Sequence, residues 1–154
     1  MKKLGVILIC AVLAGSNLLF NFIGGWAVWE LFGMTVNNIA AEIQTGDMES
    51  VLLSNSSDIE ILDICTFVEN HSGTGNHCDL VSAALVKYEG KYEVDFYYYV
   101  DKTADIIKQI SELNKDEYFY QEWSSRLDFP DDETNCYLLI EINDAPFKDN
   151  IMGH

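Results

Sequence analysis

Basic side chains are scarce in this chain of 154 residues, which contains 9 Lys and Arg but 25 Asp and Glu. Arg126 is its only arginine, and the formal net charge at pH 7 is −16. Nucleic-acid backbones are bound by clusters of Lys and Arg, so we expect no nucleic-acid partner. A strongly acidic surface suits a basic protein partner, a cation, or solubility alone.

Sequence motifs of several enzyme classes are also missing. The chain contains no Gly-x-Ser-x-Gly nucleophile elbow and no glycine-rich phosphate-binding loop. We therefore assign no catalytic residue, expect no cofactor, and regard an enzyme as the less favoured interpretation.

The longest apolar stretch extends over residues 4–36 and directly follows two lysines. A helix needs about 20 apolar residues to cross the hydrocarbon core of a membrane, so this stretch is long enough. We predict that residues 1–36 form an N-terminal hydrophobic helix, either a transmembrane anchor or a signal segment. We favour an uncleaved anchor; the alternatives are a cleaved signal peptide, a pilin-type leader that is cut after Gly5, and a buried core helix of a soluble protein.

Charges are distributed unequally around this apolar stretch. The two lysines precede it, the next basic residue is Lys87, and nine acidic residues lie between positions 4 and 86. Positively charged flanks of a membrane span remain in the cytoplasm. We therefore predict that residues 37–145 form one domain outside the cytoplasm, periplasmic or extracellular, followed by a tail over residues 146–154. Cleavage of the leader would make the protein secreted.

Three cysteines fall in this predicted extracytoplasmic domain, namely Cys65, Cys78 and Cys136. Disulfides persist in oxidising compartments, and a bridge from Cys65 to Cys78 would close a glycine-containing loop. We predict this pairing, with Cys136 as a possible replacement for either partner, because sequence alone does not fix connectivity.

Hydrophobic periodicity and turn residues predict an α+β domain. A helix is expected over residues 35–44 with its end at Gly46, and a short helix should begin at Asp47 and run through Leu53. The other predicted elements are helix 58–69, with strand as its alternative, strands 80–88 and 91–100, helices 103–114 and 117–127, and strand 136–142. Strands 80–88 and 91–100 are expected to form a hairpin with a tight turn at Glu89-Gly90. Together all these elements would form a small, mostly antiparallel sheet packed with helices on one face.

A strand over residues 91–100 would place four polar side chains on one face of the sheet, namely Glu93, Asp95, Tyr97 and Tyr99. Tyrosine provides contact area at a low entropic cost, which suits a recognition surface. A nearby turn would add a charged rim of three acids, Asp131, Asp132 and Glu133. We predict a membrane-tethered extracytoplasmic binding or accessory protein that docks a basic protein partner through these residues. An immunity-type inhibitor and a small subunit of an envelope complex both fit this description.

One alternative function is that of a pilin-like structural subunit of a filament. A long apolar helix followed by a small α+β head is the general layout of such subunits. A cut after Gly5 would leave Cys10 at the fifth position, where these proteins usually carry glutamate.

A second alternative is a metal-binding protein or an enzyme that uses the loop from His71 to Asp79. His and Cys side chains are common metal ligands, and His77, Cys78 and the more distant Cys65 could join such a site. Their spacing matches no zinc pattern, so we assign no metal ligand.

Overall fold

The computed structural model describes residues 2–55, 57–71 and 77–148, which form three α-helices and one four-stranded antiparallel sheet. The α+β class and the antiparallel sheet predicted from the sequence are therefore confirmed. The elements in chain order are α1 Lys2–Asn55, β1 Ile59–Glu69, β2 Asp79–Tyr88, α2 Glu93–Val100, β3 Ile106–Gln109, a 3₁₀ turn Ile110–Glu112, α3 Tyr118–Ser124 and β4 Cys136–Asp144.

The sheet has the strand order β1-β2-β4-β3, so β2 and β4 lie at its centre. Successive side chains of a strand point to opposite faces, and both faces of these strands are covered. The first core lies against α1 and α2 and includes Met48, Leu52, Ala84, Val86, Phe96, Val100 and Leu139. The second core lies against α3 and includes Val81, Ala83, Leu85, Ile110, Trp123, Leu138 and Ile140. The prediction of helices on one face only was wrong.

Helix α1 is continuous through Gly46, where we had predicted its end. Its C-terminal part packs on the sheet through side chains spaced three or four residues apart, namely Asn37, Ala41, Gln44, Met48 and Leu52. This packing stabilises the helix on both sides of Gly46, so one poor helix former does not end it. The two helices predicted over residues 35–53 are therefore one.

The preceding part of α1 carries exposed apolar side chains. Ten of them are between 54% and 79% exposed: Val12, Leu13, Leu18, Phe22, Ile23, Trp26, Val28, Trp29, Leu31 and Phe32. At 100° per residue these positions are distributed around the whole circumference of the helix. Within the part of the chain that the structure describes, we find no helix that combines the length and apolarity needed to span a membrane.

Strand β1 covers the residues for which we predicted a helix, so that prediction was wrong and its strand alternative is confirmed. The pairing register with β2 shifts between Ile61 and Asp63, which places a β-bulge at Leu62. A bulge reverses the side-chain alternation, and Ile61 and Ile64 consequently pack against the same core. Apolar residues three apart therefore share a face here, although the backbone is extended.

Residues 93–100 form helix α2, so the predicted strand 91–100 and its hairpin with β2 were wrong. Phe96 and Val100 are fully buried four residues apart, whereas Val94 and Tyr98 are 76% and 78% exposed. This burial has the period of a helix rather than that of a strand. The acids at positions 93 and 95 lie in the first turn, where the helix dipole favours negative charge.

The helix predicted over residues 103–114 was also wrong, because β3 and the 3₁₀ turn occupy this region. β3 pairs with β4, Ile106 facing Ile140 and Ile107 facing Leu139, so the β-branched run completes the sheet. Predicted strands 80–88 and 136–142 are confirmed as β2 and β4, and predicted helix 117–127 contains α3.

No disulfide joins the cysteines at positions 65, 78 and 136 among the described residues, so the predicted Cys65–Cys78 bridge was wrong. Strand pairing places Cys65 opposite Ala83, which is five residues along the chain from Cys78. At about 3.4 Å per residue this amounts to about 17 Å, far beyond the reach of a disulfide. Burial also raises the pKa of the Cys65 thiol to about 11, which keeps it protonated.

Gly90 follows β2 at a position where the backbone passes directly beneath the ring of Tyr88. A Cβ atom at Gly90 would lie 2.1 Å from both Cζ and Oη of Tyr88, whose hydroxyl donates a 3.1 Å hydrogen bond to the Tyr92 carbonyl. We therefore expect Gly90→Ala to lower the free energy of unfolding by about 1–3 kcal/mol, as measured by urea denaturation.

Gly46→Ala is the matched control for this substitution. A Cβ at Gly46 meets no atom within 4 Å, and alanine is the better helix former by about 0.5–1 kcal/mol. This control should stabilise the protein, and equal effects of the two substitutions would contradict the close approach of Tyr88.

Candidate functional site

The four predicted partner-binding residues of positions 91–100 lie on α2 rather than on a strand. Glu93 and Tyr97 occupy one side of the helix, and Asp95 and Tyr99 occupy another. The Tyr137 hydroxyl donates a 3.2 Å hydrogen bond to Glu93, and the Tyr97 and Tyr137 ring centroids lie 6.3 Å apart. The single face that we predicted is thus divided in two, and partner binding by these residues stays a prediction.

Tyr98 belongs to the accessible surface of α2, although a strand over residues 91–100 would have placed it on the same face as Phe96. Together with Tyr99 it lines a groove of about 380 Å³ between α1 and α2, whose other walls are Val51, Lys102 and Thr103. Helical periodicity of Phe96 and Val100 was the signal that could have identified Tyr98 as exposed.

The three predicted rim acids precede β4 and differ in their surroundings. Asp131 is exposed, and Asp132 accepts a 3.1 Å hydrogen bond from the backbone N–H of Thr134. Hydrogen bonds from Thr134 hold the pKa of Asp132 below its usual value. Glu133 is half-buried and accepts hydrogen bonds from Lys115 Nζ at 2.8 Å and from the Tyr120 hydroxyl at 3.1 Å. Glu133 therefore stabilises the fold, whereas the other two acids face solvent.

The predicted partner-binding residues of α2 and the three acids at positions 131–133 lie at the same end of the sheet. β2 finishes at Tyr88 shortly before α2, and the Asn135 carbonyl accepts a 3.0 Å hydrogen bond from the Tyr88 N–H. α1 also finishes here, since β1 begins at Ile59 opposite Tyr88. We call this region, formed by α2 and residues 131–135, the distal end, because it lies furthest from the start of α1.

The opposite end of the sheet contains a cluster of His77, Asp79 and Asp144. The His77 Nε2 atom lies 3.1 Å from Asp79 Oδ1 and 3.0 Å from Asp144 Oδ1. The three potential ligand atoms are all within 4.8 Å of one another. Asp79 and Asp144 are directly opposed in the pairing of β2 with β4, so the sheet itself positions both carboxylates. Imidazole and carboxylate groups in this arrangement are chemically able to bind a divalent cation.

Two outer contacts orient these carboxylates. Asp79 Oδ2 accepts a 3.0 Å hydrogen bond from the His71 backbone N–H, and Lys148 Nζ donates to Asp144 Oδ2. The hydrogen bond from Lys148, followed by that from His77, lowers the pKa of Asp144. Both acids thus direct Oδ1 towards the imidazole of His77.

Only part of the loop from His71 to Asp79 contributes to this cluster. His77 and Asp79 belong to it, whereas the imidazole of His71 lies 3.6 Å from Glu69. Residues 72–76 of that loop lie outside the described residues. Sequence reasoning missed Asp144 because it lies 65 residues after Asp79, and no local pattern connects the two.

The C-terminal segment is attached to α1 near this end of the sheet. Asn37 is fully buried; its side chain donates a 3.0 Å hydrogen bond to the Phe147 carbonyl and accepts one of 2.9 Å from the Phe147 N–H. The Phe147 ring lies 5.2 Å from Trp29 and 5.6 Å from Phe32, measured between centroids. The region predicted as a tail over residues 146–154 is therefore attached to α1 through Phe147, and its residues 149–154 lie outside the described residues.

Comparison of this chain with protein families, with curated proteins and with solved structures finds no match.

Proposed function

We propose that this protein is a membrane-tethered binding or accessory protein whose domain lies outside the cytoplasm and docks a basic protein partner. The observation that carries this proposal is the continuity of α1. Its apolar part has exposed side chains on all sides, and the same helix continues without a break into the part packed on the sheet. If the apolar part is anchored in a membrane, the distal end is directed away from that membrane.

The charge and shape of the distal end support a basic partner. The segments 89–95 and 131–133 carry six acids and one base, Lys91, and these acids are Glu89, Glu93, Asp95, Asp131, Asp132 and Glu133. Two of them pair with lysines outside these segments, Glu89 with Lys87 and Glu133 with Lys115, which leaves four acids without such a pair among the described residues. The groove lined by Tyr98 and Tyr99 adds an aromatic surface of the kind that is enriched in protein interfaces. An immunity-type inhibitor or a small subunit of an envelope complex would use such a surface.

Capture of partners from solubilised membranes tests this proposal. The full chain should retain a basic protein at low salt and lose most of it at high salt, because exposed charge pairs are screened. Asp95→Asn combined with Asp131→Asn should reduce the retained amount several-fold, since both side chains are exposed at the distal end.

Glu42→Gln combined with Glu49→Gln is the matched control. It removes the same number of exposed negative charges from α1, outside the distal end. Equal losses with both double variants would indicate a non-specific effect of net charge, and absence of any partner at either salt concentration would contradict the proposal.

A pilin-like filament subunit is the second candidate, and one observation favours it. α1 has 54 residues, or about 80 Å at 1.5 Å per residue, and its exposed apolar part could pack against copies of itself. The mass of the mature protein distinguishes the two candidates. A chain that begins at Val6 would support the filament subunit, whereas an intact Met1 would support the uncleaved anchor.

A further inference from the structure

We propose that His77, Asp79 and Asp144 bind a divalent transition-metal ion such as Zn²⁺ or Mn²⁺. The cluster lies at the end of the sheet opposite the distal end, so this site is separate from the proposed partner surface. Asp79 and Tyr88 are the two ends of β2, nine residues apart, which corresponds to about 30 Å.

The first argument is the convergence of two carboxylates on one nitrogen. Asp79 Oδ1 and Asp144 Oδ1 approach the same Nε2 atom of His77, at 3.1 Å and 3.0 Å. A neutral imidazole carries one N–H, which can donate a well-aligned hydrogen bond to only one of these oxygens. A cation placed between the three atoms would interact favourably with all of them once the imidazole nitrogen is deprotonated.

The distances also agree with metal coordination. Ligands that bind an ion at about 2.1 Å are about 3.0 Å from their neighbours in octahedral geometry and about 3.4 Å from them in the tetrahedral geometry usual for Zn²⁺. The two nitrogen–oxygen separations of 3.1 Å and 3.0 Å have the octahedral value. One imidazole and two carboxylates form a mixed nitrogen and oxygen set, which suits Zn²⁺ or Mn²⁺ better than Ca²⁺ or Mg²⁺.

The surroundings of the ligands provide the third argument. Each carboxylate uses Oδ2 for an outer contact, Asp79 with the His71 N–H and Asp144 with Lys148, so that Oδ1 remains directed at His77. Outer partners of this kind orient the ligands in protein metal sites. The side chain of Asp79 is 5% exposed and that of Asp144 is 60% exposed, so the site has a buried wall and an opening to solvent.

The test is titration of the full chain, purified without a histidine tag and treated with a chelator, with Zn²⁺ and separately with Mn²⁺. We expect one equivalent of at least one ion to bind and to raise the midpoint of thermal unfolding, because an ion that binds only the folded state stabilises it. His77→Asn and Asp144→Asn should each weaken binding by about tenfold or more. His77 and Asp144 are at least partly exposed, so these substitutions should not disturb the core. Circular dichroism will verify that the variants fold.

His71→Asn is the matched control, since it removes a histidine of the same loop whose contribution to the cluster comes from its backbone N–H. This variant should bind the ion as tightly as the wild type does. A wild-type chain that binds neither ion would show that the cluster is an ion-pair network only and would overturn the proposal. Equal binding by the wild type and His77→Asn would do so as well.

Discussion

Replacement of Phe22 and Ile23 by arginine is expected to move most of the protein from the membrane fraction to the soluble fraction. Both positions lie within the predicted anchor, and their side chains are 79% and 55% exposed, so the substitutions leave the core intact. Each arginine near the centre of a spanning helix costs about 2.5–3.5 kcal/mol in membrane insertion. Two of them should lower the ratio of membrane-bound to soluble protein by more than about a hundredfold.

Ile39→Arg combined with Ile43→Arg is the matched control for this variant. These positions lie on the same helix and are 56% and 60% exposed, but they follow the predicted anchor. The control should remain in carbonate-washed membranes together with the wild type. Equal release of both variants from the membrane, or release of neither, would contradict an anchor within residues 4–36. A separate reporter fused to the C-terminus tests the orientation, and activity only in the cytosol would contradict it.

Sequence periodicity predicted the fold class but assigned three regions to the wrong element, namely residues 58–69, 91–100 and 103–114. In residues 92–100, apolar and aromatic side chains alternate with polar ones, which is the pattern of a half-buried strand. Tyrosine is apolar enough to complete that pattern and polar enough to face solvent, as Tyr98 does. Burial of Phe96 and Val100 in the first core is a tertiary effect, and it favours the helix.

Strand β1, which we predicted only as the alternative to a helix, is the converse case of a strand whose apolar residues have the spacing of a helix. Its apolar residues at positions 61, 64 and 68 have helical spacing because the bulge at Leu62 changes the side-chain alternation within the strand. A bulge is defined by pairing with β2 and leaves no local pattern of its own. Strands β2 and β4 were easier to predict, because both faces are buried and their sequences are almost continuously apolar.

The candidate metal site could be predicted only in part. His77 and Asp79 are close in sequence and were considered together, but the register of β2 with β4 brings in Asp144 from the end of the chain. The same applies to Asn37, a polar residue on an apolar helix whose partner Phe147 lies 110 residues later. Such contacts depend on how strands and helices are arranged in the tertiary structure, and hydrophobic patterns along the sequence do not determine that arrangement.

Phe96→Ala is expected to lower the free energy of unfolding by about 3–5 kcal/mol, a large part of the stability of a small domain. The Phe96 side chain is fully buried, and its ring centroid lies 5.2 Å from that of Tyr88 and 4.1 Å from that of Tyr137. Truncation would leave a cavity between α2 and the sheet. Urea denaturation of the full chain in detergent, followed by tryptophan fluorescence, measures the effect.

Tyr98→Ala is the matched control, and the comparison tests the helical conformation of α2 directly. Tyr98 is 78% exposed, so its truncation should change the free energy of unfolding by no more than about 0.5 kcal/mol. Positions 96 and 98 of a strand would share one face, and both substitutions would then have similar effects. A large difference between the two changes in the free energy of unfolding therefore requires the helix, which places Tyr98 at the accessible distal end and Phe96 in the core. Similar losses of stability would favour the strand.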